Sequence, residues 1–275
     1  MLQNAPFYWQ STQRPKEACL LLHGLGGGVY EMQWLASQMH EAGFTVRGIN
    51  YPGHDRPSFR MPISAWQDWY GHISETYEAL IANYERVSLI GFSTGCPLAL
   101  KLAHEHNERH YVDKLVLLSP FINIKRSWYS RIVDVERLIP RICRVLPHVP
   151  RVGGPPINDR EMICYAKTAA YYRTFNLSAV NSALQLIADI KPHLANIQNP
   201  SLVMMSHRDR VVDPSGAQYL YEHLGSDLKE MIWLQNSNHV VMLDSERQLV
   251  FDSVIRFLGH QSAVAMAAAP GGKAF

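Results

Sequence analysis

Five residues constrain this chain more than any others: Gly91-Phe92-Ser93-Thr94-Gly95. They follow the apolar run Val87-Ser88-Leu89-Ile90 and lead into Pro97-Leu98-Ala99-Leu100-Lys101-Leu102-Ala103, a helical stretch. A strand that turns at once into a helix crowds its own corner, and glycines two residues either side of Ser93 remove the Cβ atoms that would clash there. The Ser93 hydroxyl is then presented at the end of a sheet from a strained turn, the pattern of a nucleophile elbow. Alone, the pentapeptide has a second reading, a Gly-rich helix start capped by Ser93. The rest of the chain decides between the two.

Strands and helices alternate around this point. Ala18-Cys19-Leu20-Leu21-Leu22 is a continuous apolar run, as expected of a strand buried on both faces of a parallel sheet, and 44–49, 87–90 and Lys114-Leu115-Val116-Leu117-Leu118 read as further strands. Between them, 28–42, 65–84 and 94–106 carry apolar residues at helical spacing. The rhythm resumes with a strand at 201–205, a helix at 215–224, a strand at 230–234 and a last helix at 245–258. It predicts an α/β fold, a mainly parallel sheet with helices on both faces and ligands at the carboxyl ends of the strands. With 275 residues, 47% of them hydrophobic, one such core carrying an insertion is well supplied.

The insertion is the stretch 120–200, where no strong strand signal is seen and Pro140, Pro147, Pro150, Pro155 and Pro156 cluster. It is too long for a plain loop and is expected to form a helical lid, leaving 1–119 and 201–260 as the core. Between 125 and 151 it holds seven Lys or Arg against two acids, interleaved with Ile and Val. That pattern reads either as a solvated helix face or as a weak membrane-surface contact. Tyr165, Tyr171, Tyr172 and Phe175 have two readings, a substrate pocket or the lid's own packing. The tail 261–275, rich in Ala and Gly, is expected to be disordered.

Charge and cysteine usage exclude other classes. The 26 Lys+Arg nearly balance 24 Asp+Glu, which argues against a nucleic-acid partner. Cys19, Cys96, Cys143 and Cys164 show neither C-x-x-C nor zinc-like spacing and are expected to be reduced and mostly buried. No basic N-terminal segment precedes an apolar one, and no window reaches the ~18 apolar residues of a membrane span. A cytoplasmic protein is the expectation.

A serine hydroxyl at neutral pH needs an imidazole to take its proton and a carboxylate to hold that imidazole in the right tautomer. Asp209 falls just past the strand at 201–205 and His239 just past the strand at 230–234, giving the order Ser, Asp, His. Asp213, beside Pro214, suits a helix start better. His23 lies at the same sheet edge but in a loop-ordering context, and His207 reads as a surface residue. The loop His23-Gly24-Leu25-Gly26-Gly27-Gly28 lacks G-K-[ST] and does not align with G-x-G-x-x-G, so a phosphate cradle is disfavoured. The backbone N–H groups of Leu25 and Thr94 are instead the natural donors to an oxyanion.

With Leu20-Leu21-Leu22-His23-Gly24, Tyr51-Pro52-Gly53-His54, the elbow, Asp209-Arg210-Val211-Val212-Asp213-Pro214 and 236–244, the sequence resembles the α/β-hydrolase superfamily, in particular small bacterial carboxylesterases and monoacylglycerol lipases. It departs from them at Thr94, where Gly or Leu is usual, and at Asp55. The resemblance implies a lid inserted after the sixth core strand. It further implies cleavage of an ester or monoacylglycerol-like substrate through an acyl-serine intermediate, with Ser93, Asp209 and His239 catalytic and no metal or organic cofactor. Thioesterase, lysophospholipase or amidase activity on the same residues, and a non-catalytic binding role, are the alternatives.

Overall fold

The computed structural model describes residues 2–106, 112–125, 135–151 and 153–260. The tail expected to be disordered, 261–275, and the part of the basic run at 126–134 lie outside the described residues. In chain order the first half runs β1 (Phe7–Trp9), β2 (Glu17–Leu22), α1 (Gln33–Glu41), β3 (Thr45–Ile49), α2 (Trp66–Ile81), β4 (Arg86–Phe92), α3 (Gly95–Glu105) and β5 (Val112–Leu118). Then come α4 (Val135–Ile142), β6 (His148–Pro150), α5 (Arg160–Ala169), β7 (Thr174–Asn176) and α6 (Leu177–Ile190). The chain closes with β8 (Ser201–Ser206), α7 (Ser215–His223), β9 (Lys229–Leu234) and α8 (Arg247–Gly259).

The main sheet has the order β1-β3-β2-β4-β5-β8-β9, parallel throughout except for β1, which pairs antiparallel with β3 at one edge. Strand β2 shows why the apolar runs are continuous. Leu20 and Leu22 face a core shared with α2, α3 and α6, while Cys19 and Leu21 face the one built with α1 and α8. Both faces are covered from Ala18 to Leu22, so those positions leave no room for a polar side chain. Helix α2 starts where the Asp68 carboxylate accepts the Ala65 N–H (3.2 Å), and α6 where the Asn176 side chain accepts the N–H groups of Ser178 and Ala179.

Three sequence expectations need correction. The inserted stretch follows β5, the fifth strand along the chain, because a single antiparallel strand precedes β2. The stretch is also not free of strands: β6 and β7 form a short antiparallel pair. Each is three residues long, one ending in Pro150 and the other in the Asn176 cap, too short for any alternation to be read. Finally, α6 buries Ala179, Ala183, Leu186 and Ile190 with Leu98 and Leu102 of α3, so this part of 120–200 packs as core. All four cysteines are free; Cys19 and Cys96 are buried, but Cys143 is half-buried and Cys164 exposed. Among the described residues no helix is long and apolar enough to cross a membrane.

Candidate active site

The end of β4 is held against β5, with Ser93 N–H donating to the Leu118 carbonyl (2.9 Å) and Phe121 N–H to the Ser93 carbonyl (3.2 Å). Ser93 has φ 53°, left-handed backbone that a non-glycine residue adopts only where its surroundings impose it. The flanking glycines are what permit this. A Cβ on Gly91 would stand 2.6 Å from the Gly95 carbonyl oxygen, and one on Gly95 would stand 2.2 Å from that of Leu22.

The three residues singled out in the sequence meet here. Ser93 Oγ lies 3.0 Å from His239 Nε2, and His239 Nδ1 lies 2.6 Å from Asp209 Oδ2. A carboxylate can only accept, so Nδ1 carries the ring proton and Nε2 is left to accept from the serine hydroxyl. Asp209 is buried, and its other oxygen accepts the N–H groups of Val211 (2.7 Å) and Val212 (2.9 Å). Burial alone would raise this carboxyl. The facing His239 and the two backbone donors outweigh it and hold the group below the usual carboxylate range.

Several residues hold His239 in place. Ser119 Oγ donates to the His239 carbonyl (2.8 Å), and Asn238 Oδ1 accepts the N–H of His239 (2.9 Å) and that of Arg210 (3.1 Å). Buried Asp244 takes the Asn238 N–H (2.7 Å) together with those of Asn158 (2.9 Å) and Asp159 (3.0 Å), tying the inserted stretch to the His239 loop. Ser119 is absent from the residues singled out in the sequence. Its place at the end of β5 was the available signal. Asp213 caps the first turn of α7 through Ser215 N–H (2.9 Å), and His207 stacks on Trp233, centroids 4.4 Å apart.

The loop after β2 stands against the elbow: a Cβ on Gly24 would be 3.2 Å from that of Ser93. Buried His23 donates from Nδ1 to the Gly24 carbonyl (2.8 Å), while its ring stacks on Tyr51 at 3.9 Å. His54 Nε2 accepts the Gly26 N–H (3.0 Å), which requires a neutral ring; burial pushes His54 down to about 4. Arg151 Nη1 donates to the Gly26 carbonyl (2.6 Å), and Glu31 Oε2 accepts the Gly24 N–H (3.3 Å). With these neighbours tied, the N–H groups of Leu25 and Thr94 have no protein acceptor among the described residues.

Ser93 and His239 open into a cavity of about 540 Å³ whose wall is largely apolar, with Phe121, Ile139, Ile163, Phe175, Val180 and Val211. Of the four aromatic candidates, Phe175 lines it. Tyr172 is buried with its hydroxyl on the Arg56 carbonyl (3.0 Å), Tyr171 donates to the Asn4 carbonyl (2.9 Å), and Tyr165 packs near Trp34. Among the described residues no group of three or more His, Cys, Asp or Glu converges as a metal site would.

A parallel sheet with one antiparallel edge, a strained serine between β4 and α3, and an acid and a histidine after β8 and β9 define an α/β-hydrolase. The chain belongs to the serine aminopeptidase, S33, family, whose model matches residues 13–246. It is 26% identical over 243 residues to a carboxylesterase of Bacillus subtilis, covering 88% of this chain and 92% of that one. It is 27% identical over 252 residues to a thermostable monoacylglycerol lipase of Bacillus sp. (strain H-257), covering 92% and 93%. The crystal structure of Paleococcus ferrophilus monoacylglycerol lipase superposes with a TM-score of 0.78 at 17% identity, over 92% of this chain and 97% of that one.

Proposed function

We propose that this protein is a serine hydrolase that cleaves carboxylic esters through an acyl-serine intermediate. The observation that carries the reading is the aligned pair of hydrogen bonds from Ser93 through His239 to Asp209. Ser93 Oγ attacks the ester carbonyl as His239 Nε2 takes its proton, and the same nitrogen then protonates the departing alcohol. Asp209 fixes the tautomer and stabilises the imidazolium. The N–H groups of Leu25 and Thr94 receive the oxyanion of the tetrahedral intermediate. Water, activated by His239, then releases the acid.

The names of the relatives support an ester or monoacylglycerol-like substrate, and the apolar wall of the cavity suits an acyl chain. Amide cleavage is the second reading, supported by the aminopeptidase description of the family. p-Nitrophenyl esters of rising chain length assayed beside aminoacyl p-nitroanilides separate the two. Labelling by a fluorophosphonate, lost in Ser93→Ala, tests the nucleophile. Ser93→Ala is expected to lower turnover by roughly 10⁶-fold while the chain stays folded; retained esterase activity refutes the assignment.

Contact with a membrane surface is part of the same proposal. Ile142, Val145 and Leu146 are exposed beside exposed Arg141 and Arg144 at the end of α4, an arrangement that fits an anionic lipid surface.

A further inference from the structure

His54 is fully buried and the catalytic scheme makes no use of it. Tyr51, Trp69 and Tyr172 enclose its ring edge-on, at centroid distances of 5.7, 5.5 and 6.3 Å, and His23 stands 5.2 Å away. Its backbone N–H is fixed to the Tyr51 carbonyl (2.8 Å). Nε2 accepts the Gly26 N–H at 3.0 Å, so the ring proton stands on Nδ1 and the ring is neutral; an imidazolium has two donors and no acceptor to offer. Gly26 directly follows Leu25, and its φ of 65° is left-handed. Its carbonyl accepts Arg151 Nη1 (2.6 Å). On the other side of Leu25, Gly24 has its N–H on Glu31 Oε2 (3.3 Å) and its carbonyl on His23 Nδ1 (2.8 Å). Side chains thus hold both backbone polar groups of each residue that flanks Leu25, and the Leu25 N–H itself has no protein acceptor among the described residues.

A donor to an oxyanion stabilises it most when its direction is fixed before the charge develops. A loop with glycines at 24, 26, 27 and 28 does not fix that direction through its own backbone. At Gly26 the imidazole does two things. It ties down the chain just beyond Leu25, and it occupies an N–H that would otherwise compete with that of Leu25 for the oxyanion or for water. We propose that His54 is a positioning residue for the reaction, the neutral acceptor that sets the loop so that the Leu25 N–H faces the oxyanion. This rests on the ester-hydrolase reading with Leu25 as a donor, and adds the side chain that sets the donor's direction. His54 does not line the cavity that holds Ser93, and acts through Gly26.

The test compares wild type with His54→Gln, whose amide oxygen reaches the place of Nε2, and with His54→Asn, whose amide stops short of Gly26. On p-nitrophenyl butyrate, kcat is expected to fall roughly tenfold or more in His54→Asn, a part of what losing the donor outright costs, with KM within about twofold of wild type. His54→Gln should restore most of it. The rate at which a fluorophosphonate labels Ser93 should fall and recover in parallel, because its phosphoryl oxygen enters the same N–H groups. An unchanged kcat in His54→Asn overturns the inference. So does an equal loss in both variants, which would make His54 a packing residue only. If wild type is labelled yet cleaves no ester, the ester reading fails and the labelling rates alone decide on His54; if wild type is not labelled, both fall. Should His54→Asn not fold, nitrogen NMR of the wild-type histidines decides: His54 should be the neutral Nδ1–H tautomer at pH 7, and an Nε2–H tautomer or an imidazolium refutes the contact with Gly26.

Discussion

Glu31 makes a stability prediction whose sign and size follow from its surroundings. Burial pushes the carboxyl from 4.5 up to about 7, against the pull of Arg151 and of the backbone donors at Gly24 and Gly28. Only 5% of the residue is exposed, so solvent screening does little to reduce the effect. Below pH 4.5 the carboxyl is protonated in both folded and unfolded chains and contributes no pH dependence. Between 4.5 and 7 the unfolded chain has released the proton that the folded chain keeps, so stability falls as pH rises. Above 7 the folded state carries a penalty of about 3 kcal/mol, from roughly 2.5 pH units at about 1.36 kcal/mol each. Glu31→Gln cannot titrate and should escape it. Guanidinium unfolding of both proteins at pH 5, 6, 7 and 8 should therefore show the variant gaining on wild type by up to about 3 kcal/mol across the series. Every other titrating group, including the acid-sensitive neutral His54, is common to both and cancels in the difference. A stability difference that stays constant from pH 5 to 8 would show that the carboxyl is solvated, and the argument from burial would be refuted.

Asp209→Asn leaves the shape of the site and removes the charge that fixes the His239 tautomer; kcat should drop on the order of 10⁴-fold with little loss of fold, and a loss of less than tenfold would rule out the orienting role. Thr94→Val removes a buried hydroxyl that has no partner among the described residues, so thermal unfolding should find it neutral or stabilising by up to about 1 kcal/mol, whereas a loss beyond that would mean the hydroxyl is bonded. If the α4 end docks on lipid, wild type should bind anionic vesicles at low salt and release them as salt rises, and a variant with both Arg141→Glu and Arg144→Glu should not bind; equal binding by the two refutes the contact.

The framework of this protein was legible in the sequence for a definite physical reason. Strands covered on both faces are largely apolar, so 18–22, 87–90 and 114–118 stood out despite Ser88 and Lys114, and the chemistry falls just past strand ends. Ser93, Asp209 and His239 could be picked because each comes within a few residues of a strand's end. The strand pair β6 and β7 left no comparable trace. Three residues held by a Pro at one end and a helix cap at the other give no period to read, and α6 was assigned to the insertion because a helix does not announce which layer it joins.

Glu31 was missed for a different reason. It sits in a short 3-10 turn, Val29–Met32, where a charged residue ordinarily faces water, and nothing local says that it is buried. Its carboxyl is packed under the loop after β2, against Gly27, and Arg151 returns from the insertion to bond the Gly26 carbonyl of that loop. The same holds for the cavity wall, where Ile139, Ile163, Phe175 and Val180 arrive from four separate parts of the inserted stretch to face Ser93. The reaction type was therefore written at strand ends, where the local chain enforces it. The side chains that line the cavity are brought together only by tertiary packing, so no local motif announces them.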